Sequence, residues 1–261
     1  MKRLMRSAVA GLSQLVERGS RSKLLLIRDS ELHALPERMH LRRFIEHFAI
    51  DCIFDVGANR GQYATMLRQQ VGYEGLIVSF EPIPECADHV RALAKGDPLW
   101  QVEEVALADH VGVDRFNIMA SHQFSSLASP DHSGVDLFQE TNRVVRTVTV
   151  KVDLLTNYYR MYRERFGFTR PFLKLDTQGG DVKVVAGAAD IMRAFVGLQS
   201  ELSVIKIYDS ATPYDEAIRF YESLGFRLSA FVPNNYGHFP SLVEIDCIMY
   251  NPGFTASPPV G

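Results

Sequence analysis

Four acidic residues stand where apolar runs meet turns. Asp55 lies in the run Cys52 to Val56, Glu81 follows Leu76 to Phe80, Asp176 closes Phe172 to Leu175, and Glu201 closes the run that starts at Val196. Such short apolar runs read as buried strands. In open α/β sheets ligands bind at the carboxyl ends of the strands, so acids at these places converge on one site. A single acid before a helix has an ordinary explanation as a cap. Four exceed that need. Carboxylates can take the hydroxyls of a ribose, hold a cation, or accept a proton.

The turn Gly57-Ala58-Asn59-Arg60-Gly61 narrows the ligand. It joins a strand to a helix from Gln62 to Gln70, and its glycines let backbone approach a ligand closely. A nicotinamide or flavin site would want G-x-G-x-x-G. Here the spacing is Gly57-x-x-x-Gly61, and Asp55 just before the turn would repel a pyrophosphate. S-adenosylmethionine (SAM) carries an ammonium, a sulfonium and a ribose but no phosphate, so the pattern favours SAM. Glu81-Pro82 would meet the ribose, and Ala106-Leu107-Ala108-Asp109 sits where an adenine wall belongs. An ordinary strand–helix unit with a tight turn is the competing reading.

Methyl transfer from SAM is an in-line displacement, and a hydroxyl acceptor must lose its proton. Asp176 and Glu201, or His122 and His238 in loops, are candidate bases. Alternatively Asp176, Glu201 and Asp181 could supply oxygen ligands to a magnesium ion (Mg2+), which lowers the hydroxyl pKa. Asp181 at a helix start is equally explained by the helix dipole, and a solvated loop histidine is the plain reading of His122 and His238.

These residues need a scaffold, and the chain has room for one. It has 261 residues, is 46% hydrophobic, and carries a formal net charge of −3. No basic face for nucleic acid stands out. Cys52, Cys86 and Cys247 lack metal-like spacing, and so sparse a count fits buried thiols in a reducing cytoplasm. No apolar stretch is long enough to anchor the chain stably in a membrane. A homodimer stays open. Residues 1–45 read as a helical cap, with Leu4, Val9, Leu12, Leu15 and Val16 at helical spacing and Leu41, Phe44, Ile45 and Phe48 on one face. Residues 46–252 form the main domain and 253–261 a disordered tail.

Within the main domain, strands are expected at 52–56, 76–80, 100–105, 172–176, 196–201, 226–232 and 243–249. Helices are expected at 85–95, 154–166, 181–193 and from Pro213 to 224. Strands at 113–118 and 144–152 break the alternation. They read as an inserted hairpin whose long polar loop reaches over the site. The fold class is α/β and doubly wound.

The motifs in order resemble the FkbM family of SAM-dependent methyltransferases. They are Phe54-Asp55-Val56-Gly57-Ala58-Asn59-Arg60-Gly61-Gln62-Tyr63, Phe80-Glu81-Pro82-Ile83-Pro84, Ser125-Ser126, Val152-Asp153-Leu154, Leu173 through Asp181, and Ala186-Gly187-Ala188. The resemblance spans about Asp51 to Tyr250. It implies a class I (Rossmann-like) methyltransferase fold with a seven-stranded sheet and an antiparallel last strand. It implies that Asp55, Gly57, Asn59 and Glu81 hold SAM, with Tyr63 and the Ser125-Ser126 turn near it; Gly61, Pro82, Ala106 and Gln178 complete the expected cofactor site. The family usually has Glu where this chain has Asp181, which puts that residue's role in question. Members are mostly O-methyltransferases of sugars and natural products, so the expected partner is a small-molecule or oligosaccharide acceptor. Size and style are similar to actinobacterial members that methylate mannosides during polysaccharide synthesis. A methyltransferase for a non-sugar hydroxyl, or a non-catalytic SAM-binding protein, are the alternatives.

Overall fold

The computed structural model describes residues 32–131, 138, 140–233 and 240–255, and the backbone alone of His122. Helix α1 (Leu35–Phe48) leads to β1 (Cys52–Val56), α2 (Gln62–Met66, continued by a wider turn over Leu67–Val71), β2 (Leu76–Phe80), α3 (Pro84–Leu93), β3 (Trp100–Glu103) and β4 (Ala106–Leu107). There follow β5 (Gly112–Met119), β6 (Val144–Asp153), α4 (Leu155–Phe166), β7 (Pro171–Leu175), α5 (Asp181–Ala186), β8 (Gly197–Ser203), α6 (Tyr214–Ser223), β9 (Arg227–Val232) and β10 (Glu244–Tyr250).

Seven strands form the main sheet in the order β3-β2-β1-β7-β8-β10-β9. All are parallel except β10, which runs antiparallel to β8 and β9. This is the class I methyltransferase arrangement. Strands β1, β2 and β7 are buried along their whole length, which explains their unbroken apolar runs. Cys52, Phe54 and Val56 pack with α4, α5 and α6, whereas Ile53, Ile77 and Phe172 pack under α1, α2 and α3. Phe54, Phe80, Tyr159, Phe168 and Phe195 meet edge-on or stacked in the first of these layers.

The inserted hairpin is present. Strands β5 and β6 pair antiparallel, and the small segment β4 adds parallel to β6, making a second sheet in the order β4-β6-β5. The expected adenine wall is thus itself a strand, with Ala106 opposite Val152. Helix α5 is shorter than the 181–193 read from sequence. At Gly187 the chain passes the Ala108–Asp109 backbone so closely that a Cβ would stand 2.6 Å from the Ala108 carbonyl oxygen. Beyond it the turns tighten to three-residue hydrogen bonds.

Helix α1 runs on to Phe48, through the boundary expected at residue 45, and buries Leu41, Phe44 and Phe48 on the sheet. The tail expected to be disordered from 253 begins packed. Phe254 sits against the α1 layer, and the Arg170 guanidinium donates to the Thr255 carbonyl at 2.6 Å. Residues 1–31 and 256–261 lie outside the described residues, with the apolar spacing of Leu4 to Val16. All three cysteines are buried and free. No helix among the described residues is long and apolar enough to cross a membrane.

Candidate functional site

A cavity of ≈ 1010 Å³ opens at the carboxyl end of the main sheet. The turn after β1, the ends of β2, β7 and β8, the start of β10, the β4 segment, the hairpin loop and α1 all contribute to its wall. Gly57, Asn59, Tyr63, Glu81, Pro82, Ala106, Ser125, Ser126, Asp176, Gln178 and Glu201, all singled out from sequence, line it. Asp55, Gly61 and Asp181 do not. The side chain of His122 and the whole of His238 lie outside the described residues.

At one end the Glu81 carboxylate accepts the backbone N–H groups of Asn59 at 2.7 Å and Ile83 at 2.9 Å. Burial pushes its pKa up to about 7, against the pull of those two hydrogen bonds. Asn59 holds a left-handed φ of 47°. Gly57, at φ 81°, is pressed on the end of β7, where a Cβ would meet the Asp176 carbonyl oxygen at 1.8 Å. Gly61 plays a different part from the one expected of it. It faces Leu93, Trp100 and Val90 and packs the turn onto α3.

Asp55 also stands behind the cavity wall. It is fully buried and meets a cation of the protein itself. The parallel register sets Ser79, Asp55, Lys174 and Gln199 side by side on four adjacent strands, all on one face. The Trp100 indole donates to Ser79 Oγ, and Ser79 Oγ donates to Asp55 Oδ2, each at 3.0 Å. Lys174 Nζ lies 3.5 Å from Asp55 and 3.3 Å from Asp176, and 5.2 Å from the centre of the Tyr63 ring. Burial works against the ammonium, but Asp176, Asp55 and Asp246 together hold its pKa above the usual lysine value. Burial pushes Asp55 up, with Lys174 and Ser79 holding it back.

Beyond Lys174 the polar row continues into α1. Gln199 Nε2 donates to Glu37 of α1 and to Asp246 of β10, each at 2.7 Å, and Gln199 Oε1 accepts from the Tyr63 hydroxyl at 2.9 Å. Burial raises the pKa of both Glu37 and Asp246.

At the other end Gln178 ties the acids together. Its amide nitrogen donates to Asp176 and to Glu201, both at 2.8 Å, and its side-chain oxygen accepts from the Tyr208 hydroxyl at 2.6 Å. Gln178 adopts φ 54°, an uncommon conformation for such a residue and one that clusters at functional sites. Ser126 Oγ donates to the Gln178 carbonyl at 2.7 Å and so pins the hairpin loop to this turn, while Ser125 Oγ accepts the Met119 N–H at 3.1 Å. Burial, then Glu244, Asp176, Asp246 and Asp181, hold the pKa of Glu201 well above the usual range.

The trio Asp176, Glu201 and Asp181 does not fit a magnesium ion. Asp181 turns away from the cavity. Its oxygens are filled by the N–H and hydroxyl of Thr177 (2.9 and 2.6 Å), the Ser200 hydroxyl (2.8 Å) and the Glu201 N–H (3.1 Å). It locks the β7 turn to β8. Between Asp176 and Glu201 stands an amide donor. Among the described residues no three His, Cys, Asp or Glu side chains form a metal-ligand group.

Sequence reasoning missed Glu37, Lys174, Gln199, Glu244 and Asp246. A signal existed for four of them. Lys174 interrupts an apolar run, and Gln199-x-Glu201 and Glu244-x-Asp246 have the strand period of two. Nothing local marked Glu37.

Solved structures resemble the chain at low identity. Fibrillarin from Aeropyrum pernix, with natively bound S-adenosyl-L-methionine, is 12% identical at a TM-score of 0.43, covering 82% of this chain and 73% of its own. A SAM-dependent methyltransferase from Aquifex aeolicus is 14% identical at 0.41, covering 85% and 93%. Magnesium protoporphyrin IX methyltransferase from Synechocystis PCC 6803 is 7% identical at 0.44, covering 84% and 76%. No curated protein matches the sequence. The Methyltransferase FkbM domain matches residues 55–228, from the buried Asp55 through every cavity-lining turn up to β9. The chain belongs to that family and is a SAM-dependent methyltransferase.

Proposed function

We propose that the protein transfers the methyl group of SAM to a hydroxyl of a sugar or oligosaccharide. The observation that carries this reading is the lining of the acceptor end. Asp176, Gln178, Glu201, Glu244 and Ser210 offer hydrogen-bonding groups there, with the faces of Phe124 and Phe138 beside them. Asp176 and Glu201 each accept one hydrogen bond from Gln178, and the lone pairs left over suit the hydroxyls of a polyol better than an aliphatic acceptor.

In this reading Glu81 would take the ribose hydroxyls of SAM, Ala106 would line its adenine, and the backbone at Gly57 and Asn59 would meet its methionine end. Gln178 holds Asp176 and Glu201 in place, and one of the two accepts the acceptor's proton as the new C–O bond forms and S-adenosylhomocysteine leaves. Mannosides are the first acceptors to try.

Transfer of labelled methyl from SAM to a mannoside panel tests the reading. Asp176→Asn is expected to lower kcat about 10²-fold or more, the usual contribution of a proton acceptor. Full turnover by this variant would remove Asp176 from the reaction. Transfer only to lipid or polyketide alcohols would replace the sugar assignment.

Glu81 gives a separate test. Its carboxylate accepts ribose hydroxyls best when ionised, and its pKa near 7 places that change in the working range. S-adenosylhomocysteine affinity is therefore expected to rise about tenfold from pH 6 to pH 8 and level off above. In Glu81→Gln it should be weaker and flat with pH. An unchanged affinity across this range in the native protein would separate Glu81 from the ribose.

A further inference from the structure

Glu244 opens β10 and lines the cavity at its acceptor end. It is 9% exposed, yet among the described residues its carboxylate accepts no hydrogen bond and forms no ion pair. The ladder between β10 and β8 sets Asp246 opposite Glu201 and Glu244 opposite Ser203, so Glu201, Glu244 and Asp246 share one face of the sheet. Asp176 extends the group from the end of β7, and Asp181 lies behind it on α5. The Lys174 ammonium is engaged by Asp55 and Asp176. Burial, then Asp176 and Asp181, push Glu244 up to about 7.

An ionised carboxylate held out of water without a partner is costly. A cavity that keeps one open is completed by its ligand. A hydroxyl would give Glu244 a hydrogen bond but leave Glu201, Glu244 and Asp246 holding the protons that their burial favours. An ammonium supplies three N–H donors and cancels charge as well. The side chains do not form a metal-ligand group, so the fitting cation is an organic one.

We propose that the acceptor carries an ammonium group, as an amino sugar does, and that Glu244 receives it beside Glu201 and Asp246. This rests on the reading of the cavity as a sugar-methylating site and narrows its substrate to amino-bearing sugars. Binding then drives protons off the carboxylates. The preference for the cationic ligand grows as pH rises toward 8, with Lys174 staying charged throughout.

The test is titration of the protein, saturated with S-adenosylhomocysteine, with 2-amino-2-deoxy- and 6-amino-6-deoxyhexoses and their neutral parents at pH 7. Cyclohexylamine and cyclohexanol serve as sugar-free probes. The expected result is at least tenfold tighter binding of an amino sugar than of its neutral parent, with protons released to the buffer. Glu244→Gln should erase that advantage, and its S-adenosylhomocysteine titration reports whether the cofactor end is intact. Equal binding of amino and neutral sugars would overturn the ammonium site and leave the sugar reading standing. Binding of cyclohexylamine alone, dependent on Glu244, would uphold the ammonium site and remove the sugar. If no probe binds, both readings fall.

Discussion

Gly57→Ala is expected to abolish S-adenosylhomocysteine binding and to lower folding stability by roughly 4 kcal/mol or more, a loss reserved for severe local conflicts. Two effects add. The φ of 81° costs an L-residue about 1–2 kcal/mol. The new Cβ would also sit 1.8 Å from a backbone oxygen of Asp176, which no rotamer can relieve. Either the turn leaves the end of β7 or Asp176 moves. Gly72 separates the two effects, since its φ is also 81° but nothing lies within 4 Å of the added Cβ. Gly72→Ala should cost about 1 kcal/mol. Urea unfolding of both variants measures the difference. Equal losses would mean that the collision is absorbed by small shifts and does not position the site.

Lys174→Met should be nearly as damaging, at about 3–5 kcal/mol, because it strands Asp55 as an uncompensated buried charge. Only the Ser79 hydroxyl would then support that carboxylate. The double variant Asp55→Asn, Lys174→Met should regain much of the loss, since the fully buried charge is gone and Asp176, the other partner of Lys174, is part-exposed. The sign of the pH effect follows from Asp55. Burial already raises its pKa, and losing the ammonium raises it further. A folded state that holds its carboxyl proton more tightly than the unfolded chain loses stability as pH rises. The deficit of Lys174→Met should therefore be smaller at pH 5 than at pH 8. A deficit independent of pH would show that Asp55 is not the group left charged.

The strands announced themselves because a sheet covered on both faces needs continuous apolar runs. Cys52–Val56 and Leu76–Phe80 match their expected limits, and Pro171–Leu175 starts one residue early. The acids that end these runs located the site for the same reason, as charge inside such a run must have a purpose. What the runs conceal is pairing between strands. Asp55 looked like a partner for a cationic ligand, but the register with β7 placed Lys174 beside it. Asp181 looked like a metal ligand because it lies near two other acids in the chain, but Thr177 and Ser200 consume its oxygens. Glu37 reaches Gln199 across 162 positions of sequence, and no local pattern encodes a contact of that span.

The loop after β5 and the segment after β8 are stitched to each other above the cavity. Ser129 and Asp131 exchange backbone hydrogen bonds with Asp209 and Ile207, the Asn142 amide donates to the Ile207 carbonyl, and Tyr208 reaches the Phe124 carbonyl. Met119, Ala128, Ile207, Tyr208, Ala211 and Val243 close a small apolar cluster between them. Neither strip can lift away without breaking the other's hydrogen bonds. They form one packed unit, set apart from the main core. Tyr208 also holds Gln178, so this unit is tied through one side chain to the spacing of Asp176 and Glu201. The roof of the cavity and the acid pair beneath it are thus one hydrogen-bonded assembly.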